Sequence, residues 1–434
     1  MVVYTQDRLG RTIRSFLAAC TVYFYGAAFL APDRSEMIPG LLRIILSPAQ
    51  VTRDYFFIGS ISGAFLNMAL VATVLVALMY LPNTEEKGIT ATAYFLCLGF
   101  TTWGINILNI WPFLIGVFIN AKVRKVSIAS TIDIAMFATG LCPLVSELLF
   151  RYPGTEVHGF TAQGIVLALL VGGSTGFLTP ALASHSPNIH KGFNLYSAAM
   201  ASGFLGFFFM GLLYKSRGIT VPEATAILGE EQRLVAYTFF GILFVASILL
   251  GWFINGKSFA GYGQLLKDTG YKVDFAVKYG PGLSFMNFGF YGLFILLYYT
   301  LIGAQFNGVT CGIIFCMSCF GATSSHALNV IPILAGYLLA AIPGVNEINS
   351  QSIVIGVCYS SGLGPITGVY GWWAGLIAGV AHYTLVTSVP LLHGGFCLHN
   401  GGFTAVMIAM LLVPQLETFC KTKEQRRAAR QAHD

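Results

Sequence analysis

The residues of this chain that could do chemistry are few, and they sit in apolar surroundings. Asn67 and Asn287 lie in SGAFLN and LSFMN, each behind a glycine-containing turn (Gly59 and Gly63; Gly280 and Gly282). A carboxamide facing lipid is costly, so both are expected to turn inward, toward a solute or into an interhelical hydrogen bond. Two polar interruptions, TTWGINILN and GATSSHALN, each run into a proline, Pro112 and Pro332. They carry Thr101, Thr102, Asn106 and Asn109 in the first half of the chain and Thr323, Ser324, Ser325, His326 and Asn329 in the second. Non-helical backbone at membrane depth survives only inside protein or along a wet cavity, so these stretches are expected to line a pathway. Half-helix ends there would offer N–H groups to anions or carbonyls to cations; the other role for these residues is to cap broken helices.

Asp133 and Glu147, in TIDIAMFATGLCPLVSELLF, are the carboxylates best placed within an apolar segment. Their spacing is close to four helical turns, so they share a face if the GLCP break leaves the helix unrotated. Ionisable groups at depth are expensive and usually functional, which makes Asp133 the candidate for a coupling proton or sodium ion. Glu147 is a second coupling candidate, or the partner of Arg151 one turn on.

Histidines His326, His382, His393 and His399 fall in the second half, His185 and His190 in the first. Histidine relays protons or binds metal near neutrality. No H-E-x-x-H or comparable spacing is present, and the C-x-x-C of Cys316 and Cys319 has no second pair, so neither metal nor cofactor is expected. Residues 190–196 and 393–399 share the pattern H-x-G-F-x-L-[YH], read as a tight loop before a helix. His190 and His393, with His399 and Asn400, are expected to close opposite ends of a pathway, plain loop capping being the alternative. A nucleophile elbow, a P-loop and a dinucleotide fingerprint are all missing, so the chain is not read as an enzyme.

The elements that position these residues must be membrane helices. Of 434 residues, 56% are hydrophobic and 10% charged, with a mean hydropathy of +0.72, which excludes a water-soluble globular fold. Apolar stretches near 20 residues point to helices and not to a barrel. They fall at about 12–31, 57–81, 89–120, 128–150, 160–183, 193–214, 234–254, 284–303, 309–343, 352–370, 371–391 and 402–418, with residues 421–434 a basic, solvated cytoplasmic tail. The nine cysteines lie almost entirely inside these stretches and read as small hydrophobes, not as a disulfide framework. The net charge of +6 comes mainly from flanks and loops and does not imply nucleic acid.

The sequence also repeats. A shift of 220 places Gly88, Thr90, Phe95, Phe100, Leu108, Asn109, Pro112, Leu114 and Gly116 on identical residues, and superposes Asp54, Phe65 and Asn67 on Asp274, Phe285 and Asn287. The chain is therefore read as two related membrane repeats, 1–220 and 221–420. With twelve simple crossings the Lys and Arg residues split 13 against 11, whereas re-entrant segments at 89–120 and 309–343 give 17 against 7. The positive-inside rule favours the second arrangement: about ten full crossings, two re-entrant or broken segments and inverted repeats. Twelve transmembrane helices with parallel repeats is the alternative.

The paired H-x-G-F-x-L-[YH] motifs, HNGGFTAV at 399–406 and the Asn67 and Asn287 turns resemble a family of bacterial multi-pass membrane proteins known as a domain of unknown function. The resemblance spans nearly the whole chain, implies a duplicated transporter-like fold and carries no substrate. Ser197 stands where the second motif has Asn400, so the two ends need not be equivalent. FMNFGFYGLFILL also looks like the asparagine-containing stretch of urea channels, although the spacing to the later glycine motif is longer here. The expected function is a secondary transporter of a small polar or anionic solute, working by alternating access in the cytoplasmic membrane. A passive channel for a small neutral solute, or a membrane redox or scaffold subunit flavinylated near Thr323, are the other readings. The expected partners are a small-molecule or ion substrate, the lipid bilayer and further copies of the chain.

Overall fold

A computed structural model describes residues 5–344 and 346–432. Among these the chain is helical, with one isolated bridge, Arg53 to Ile227, in place of a sheet. The first half holds α1 (Gln6–Leu30), α2 (Ile61–Met79), α3 (Gly88–Gly99), α4 (Trp111–Val123), α5 (Ile132–Phe137), α6 (Cys142–Phe150), α7 (Ala162–His190) and α8 (Ala199–Leu213). The second holds, in the same order, α9 (Arg233–Ile254), α10 (Pro281–Leu301), α11 (Gly308–Ser318), α12 (Ala327–Ala341), α13 (Gln351–Ser360), α14 (Gly364–Tyr370), α15 (Trp372–Val386) and α16 (Asn400–Phe419). A final helix, α17 (Lys423–Gln431), ends the chain.

Every apolar stretch expected from the sequence is helical. Among the described residues nine helical stretches are long and apolar enough to cross a membrane, which makes this a multi-pass membrane protein. The expected segments outside those nine are the two interrupted ones and Trp372–Val386. Local chemistry sets the ends. Ser60 Oγ accepts from Gly63 N at 2.8 Å to start α2, and Asn307 Oδ1 from Thr310 N at 2.9 Å to start α11. Prolines at the first or second position open α4, α6, α10 and α14, where the missing N–H costs nothing.

Both expected interruptions are real. After α3 a 3-10 turn (Phe100–Thr102) leads into irregular backbone before α4; after α11 a 3-10 turn (Cys319–Ala322) does the same before α12. A second break, not anticipated as a feature of both halves, separates α5 from α6 at Ala138–Leu141 and α13 from α14 at Ser361–Leu363.

The broken helices pack on one another in the middle of the fold, and phenylalanines fill the core beside them. Phe95 stacks on Phe315 at 5.6 Å, Phe16 on Phe285 at 4.3 Å and Phe65 on Phe239 at 4.7 Å. Contacts between loops define two faces. On one, which we call the basic face, Arg14 bridges Glu86 at 3.0 Å, Asp274 binds Ile89 N, Tyr271 OH donates to Lys191 O, and Lys191 pairs with Glu417. On the opposite face Val51 N donates to Gly395 O, Asp54 N to Ile227 O, and Gln232 N to Phe306 O.

The C-terminal tail is a solvated helix end, with none of the residues of α17 buried, and Arg426 donates to Tyr370 O, which rests it against the end of α14.

Candidate functional site

The site is built around the two helix breaks, and asparagine holds each of them. Breaking a helix frees carbonyls and N–H groups that must find partners inside the protein. Asn67 Nδ2 donates to Thr101 O at 2.8 Å and Ile105 O at 2.9 Å, and its Oδ1 accepts from Ile107 N at 3.0 Å. Asn287 Nδ2 donates to Gly321 O at 2.7 Å and Ser325 O at 2.8 Å, the carbonyls 220 residues further on. Asn109 Oδ1 accepts from Asn106 N while its Nδ2 donates to Gly104 O; Asn329 repeats both bonds, with His326 N and Ser324 O. The four asparagines thus spend their polar atoms on the chain itself, and a solute reaching them has to compete with backbone.

Two aspartates tie the halves together. Asp54 accepts from Phe56 N at 2.8 Å in its own half, and from Gly229 N and Gly308 N, both at 3.0 Å, in the other. Asp274 accepts from Val277 N at 3.1 Å in its own half and from Ile89 N at 3.0 Å in the first. Each half therefore caps the half-helix of the other, α11 by Asp54 and α3 by Asp274. Burial pushes both carboxyls above the usual carboxylate range, against the opposing pull of the backbone N–H groups they accept from. A Cβ at Gly88 would lie 2.3 Å from Asp274 Oδ1, and one at Gly308 2.2 Å from Asp54 Oδ1, so both caps need glycine. Sequence analysis aligned the two aspartates without assigning them a role; the signal was an aspartate before an aromatic residue at the same 220-residue shift.

The half-helices α3 and α11 run antiparallel in contact. Thr92 Oγ1 donates to Cys319 O at 3.0 Å, Cys316 Sγ to Leu96 O at 3.7 Å, and Gly312 lies against Gly99 O. Leu96 and Cys316, which meet at this crossing, are matched by the 220-residue shift. Cys316 and Cys319 are buried thiols engaged with backbone carbonyls.

Chemically the two breaks differ. Where the first has Trp103, Gly104 and Ile105, the second has Thr323, Ser324 and Ser325. Thr323 Oγ1 lies 3.3 Å from Thr92 Oγ1 and 3.2 Å from Ser324 Oγ, and Ser325 Oγ is buried without a partner. His326 Nε2 faces Asp268 O at 2.9 Å and Nδ1 faces Asn329 N at 3.3 Å, which assigns a neutral ring with the proton on Nε2. His326, Asn329 and Thr367 line a cavity of about 780 Å³ on the basic face, whose rim carries Lys267, Lys423 and Arg427. Thr367 Oγ1 is buried there without a partner.

The loop before α10 covers this break. Phe275 N donates to Thr323 O at 2.8 Å, and Gly270, at φ +73°, brings its backbone against Ser324 O. Asp268 holds the loop through Lys278 Nζ at 2.6 Å, Tyr279 OH at 2.7 Å and Gly270 N at 3.0 Å. Burial raises the Asp268 carboxyl, but these three donors outweigh it and hold it below the usual range.

Other sequence candidates lie away from the breaks. Asp133 lines a cavity of about 370 Å³ with Glu86, Lys87 and Thr90, beside the start of α3. Glu147 is fully buried beyond the second break and is bound by Arg151 Nε at 2.8 and 2.9 Å. The 3-10 turn between α5 and α6 separates the two carboxylates, and the structure does not bring them together. His190 ends α7 on the basic face, accepting from Gly192 N and Asn194 N at Nδ1 with Nε2 3.0 Å from Ser197 Oγ. His393 sits beside Gly394 and Gly395 on the opposite face, with Nε2 3.0 Å from Gly203 O. His399 packs on Phe100 at 5.1 Å with Nδ1 buried and unpartnered, and Asn400 is buried at the first position of α16. His382 bonds Gly401 O and Tyr337 OH. Thr101 and Thr102 donate to Leu98 O and Gly99 O at the end of α3. Among the described residues no three His, Cys, Asp or Glu side chains cluster closely enough to hold a metal.

A family described as "Protein of unknown function (DUF1576)" matches residues 33–215 and 254–418, twice across the chain and over well more than half of it, consistent with a duplicated domain. No curated protein and no solved structure matches.

Proposed function

We propose, from the premise that the chain belongs to the DUF1576 family, that it is a secondary transporter moving a small polar or anionic solute by alternating access between two inverted halves. One observation carries the reading: two helix breaks are built on the same asparagine framework and lie buried in the middle of the fold, and the second, with hydroxyls at Thr323, Ser324 and Ser325, adjoins a basic-face cavity through His326 and Asn329. A carrier built from two related halves holds its solute between broken helices of this kind. We place the solute among Thr323, Ser324 and Ser325, and we assign coupling to Asp133, a carboxyl beside the start of α3.

Re-entrant topology follows the same logic. Residues 83–90 before and into α3, and 129–133 after α4, line one cavity, so the α3–α4 segment ends near where it began. In the other half Asn307 Nδ2 donates to Gln351 Oε1 at 2.8 Å, linking the start of α11 to the start of α13. One segment would enter from the basic face and the other from the opposite face, which is an inverted arrangement. In that arrangement the basic face would hold 17 of the 24 Lys and Arg residues, and we assign it to the cytoplasm.

Both statements are testable. In a Cys420→Ser background, Lys87→Cys and Lys122→Cys are expected to react with a membrane-impermeant maleimide from the same side, and Lys215→Cys from the other. Labelling of Lys87→Cys and Lys122→Cys from opposite sides would replace the re-entrant segment with a crossing one. Transport is tested in proteoliposomes offered a mixed metabolite extract, with and without a pH gradient. Gradient-driven uptake is expected, lost in Asp133→Asn and reduced at least tenfold in Ser325→Val, which removes a hydroxyl without adding a large volume. Uptake independent of the gradient and unchanged in Asp133→Asn would favour the neutral-solute channel instead.

A further inference from the structure

A buried ion pair stands directly beyond the first break. Asn109 Nδ2 donates to Ser146 Oγ at 3.0 Å, and the next residue, Glu147, is fully buried. Arg151 takes both of its oxygens, with Nε at 2.8 and 2.9 Å and Nη2 at 2.7 Å. A second guanidinium, that of Arg53, acts on the same carboxylate from the opposite-face segment that precedes α2. Gln50 holds it in place: its Oε1 accepts from Arg53 Nη2 at 3.2 Å, while its Nε2 is anchored on Pro222 O and Gly394 O. Ionisable groups at this depth are expensive, and two guanidiniums on one carboxylate leave a positive charge over.

The polar atoms that remain are donors. Arg53 Nε is buried without a partner, and so is the hydroxyl of Tyr214, a residue 1% exposed. Tyr214 packs edge to face on Tyr152 at 5.4 Å, next to Arg151, and lies in the field of Glu147 and Arg151. Both Glu147 oxygens are already engaged by Arg151, so the pair has no acceptor to spare for them. A carboxylate from outside brings two acceptor oxygens, matches the guanidinium fork and neutralises the surplus charge.

The place in the fold suits a solute path. Residues 140–143, Gly-Leu-Cys-Pro, match residues 362–365, Gly-Leu-Gly-Pro, and that register sets Val145, Ser146 and Glu147 on Thr367, Gly368 and Val369. The latter three line the basic-face cavity. Glu147 therefore stands, in the first half, where the second half borders its cavity.

We infer that Arg53 and Tyr214, held beside the Glu147–Arg151 pair, bind the carboxylate of a small monoanionic solute at the opposite face. Naming the solute class rests on the transport reading; the binding site does not, and the following measurement reads binding alone, so either can fail without the other.

Thermal unfolding of the purified full-length protein in detergent is followed while potassium acetate, propionate, pyruvate, lactate or chloride replaces potassium isethionate at constant ionic strength. At least one of the four carboxylates is expected to raise the midpoint saturably, by about 2 °C or more, and chloride is not. R53Q should abolish the rise. Tyr214→Phe, which removes only the hydroxyl, should increase the half-saturating concentration at least threefold. Lys267→Gln, on the rim of the basic-face cavity, should leave it unchanged. Absence of a saturable rise in the wild type, or a rise unaltered in R53Q or in Tyr214→Phe, overturns the proposal. So does loss of the rise in Lys267→Gln, which would move the carboxylate to the basic-face cavity. A saturable rise with chloride equal to that with the carboxylates would overturn it in favour of a halide site.

Discussion

Asp54→Ala is expected to destabilise the protein by about 3–9 kcal/mol, because three backbone donors lose their acceptor together and each unmet buried donor costs about 1–3 kcal/mol. Phe56 N, Gly229 N and Gly308 N are those donors, and Asp54 itself is fully buried, so water cannot replace the carboxylate without opening the fold. Asp54→Asn keeps one acceptor oxygen and should cost less than half as much. Asp274→Ala should resemble Asp54→Ala, since it strips the cap from α3 as the other strips it from α11. Thermal unfolding in detergent, followed by intrinsic fluorescence, reads the difference. A midpoint for Asp54→Ala within about 1 °C of wild type would mean that the cap does not hold the halves together.

Gly312→Val should be nearly as damaging, for a steric reason. A Cβ at Gly312 would sit 2.1 Å from Gly99 O, 2.5 Å from Trp103 Nε1 and 2.6 Å from Thr102 Oγ1. The closest of these is backbone, in the half-helix that crosses it, so relief requires α3 and α11 to separate. Overpacking of this kind costs about 1–3 kcal/mol or more, and here it acts at the crossing on which both breaks depend. Gly211→Val is the control, since no atom lies within 4 Å of a Cβ there. The expected result is a marked fall in unfolding midpoint and in folded yield for Gly312→Val, with Gly211→Val close to wild type. Similar behaviour of the two variants would show that the crossing can open without penalty.

Much of this architecture is legible in the chain. Membrane spans follow from run length and charge depletion, and the twelve segments expected from the sequence all appear as helices. Both interruptions in α3–α4 and α11–α12 were marked by small polar residues followed by proline, a local signal that survives folding. Ends were less legible: α7 runs past the expected end near residue 183 to His190, through Pro187, because a proline need not end a membrane helix whose neighbours re-satisfy the freed backbone groups. The break between α13 and α14 was missed, because SSGLGP is composed of residues that also pack well in straight membrane helices.

What the sequence determined by itself was the set of residues that could not face lipid, since the cost of exposing a carboxamide or a bare carbonyl to hydrocarbon does not depend on the fold. It also determined that they come in pairs, because the 220-residue repeat is written in the chain. Tertiary structure decided what each pair is for. Asn67 and Asn287 could have faced a solute, and instead bind the carbonyls of their own breaks. Asp54 and Asp274, which nothing nearby in sequence marks as special, cap helices that begin in the other half. A hydrogen bond between residues 254 positions apart, such as Gly308 N to Asp54 Oδ1, is invisible until the two halves are docked, because only then does a carboxylate reach the donors it completes.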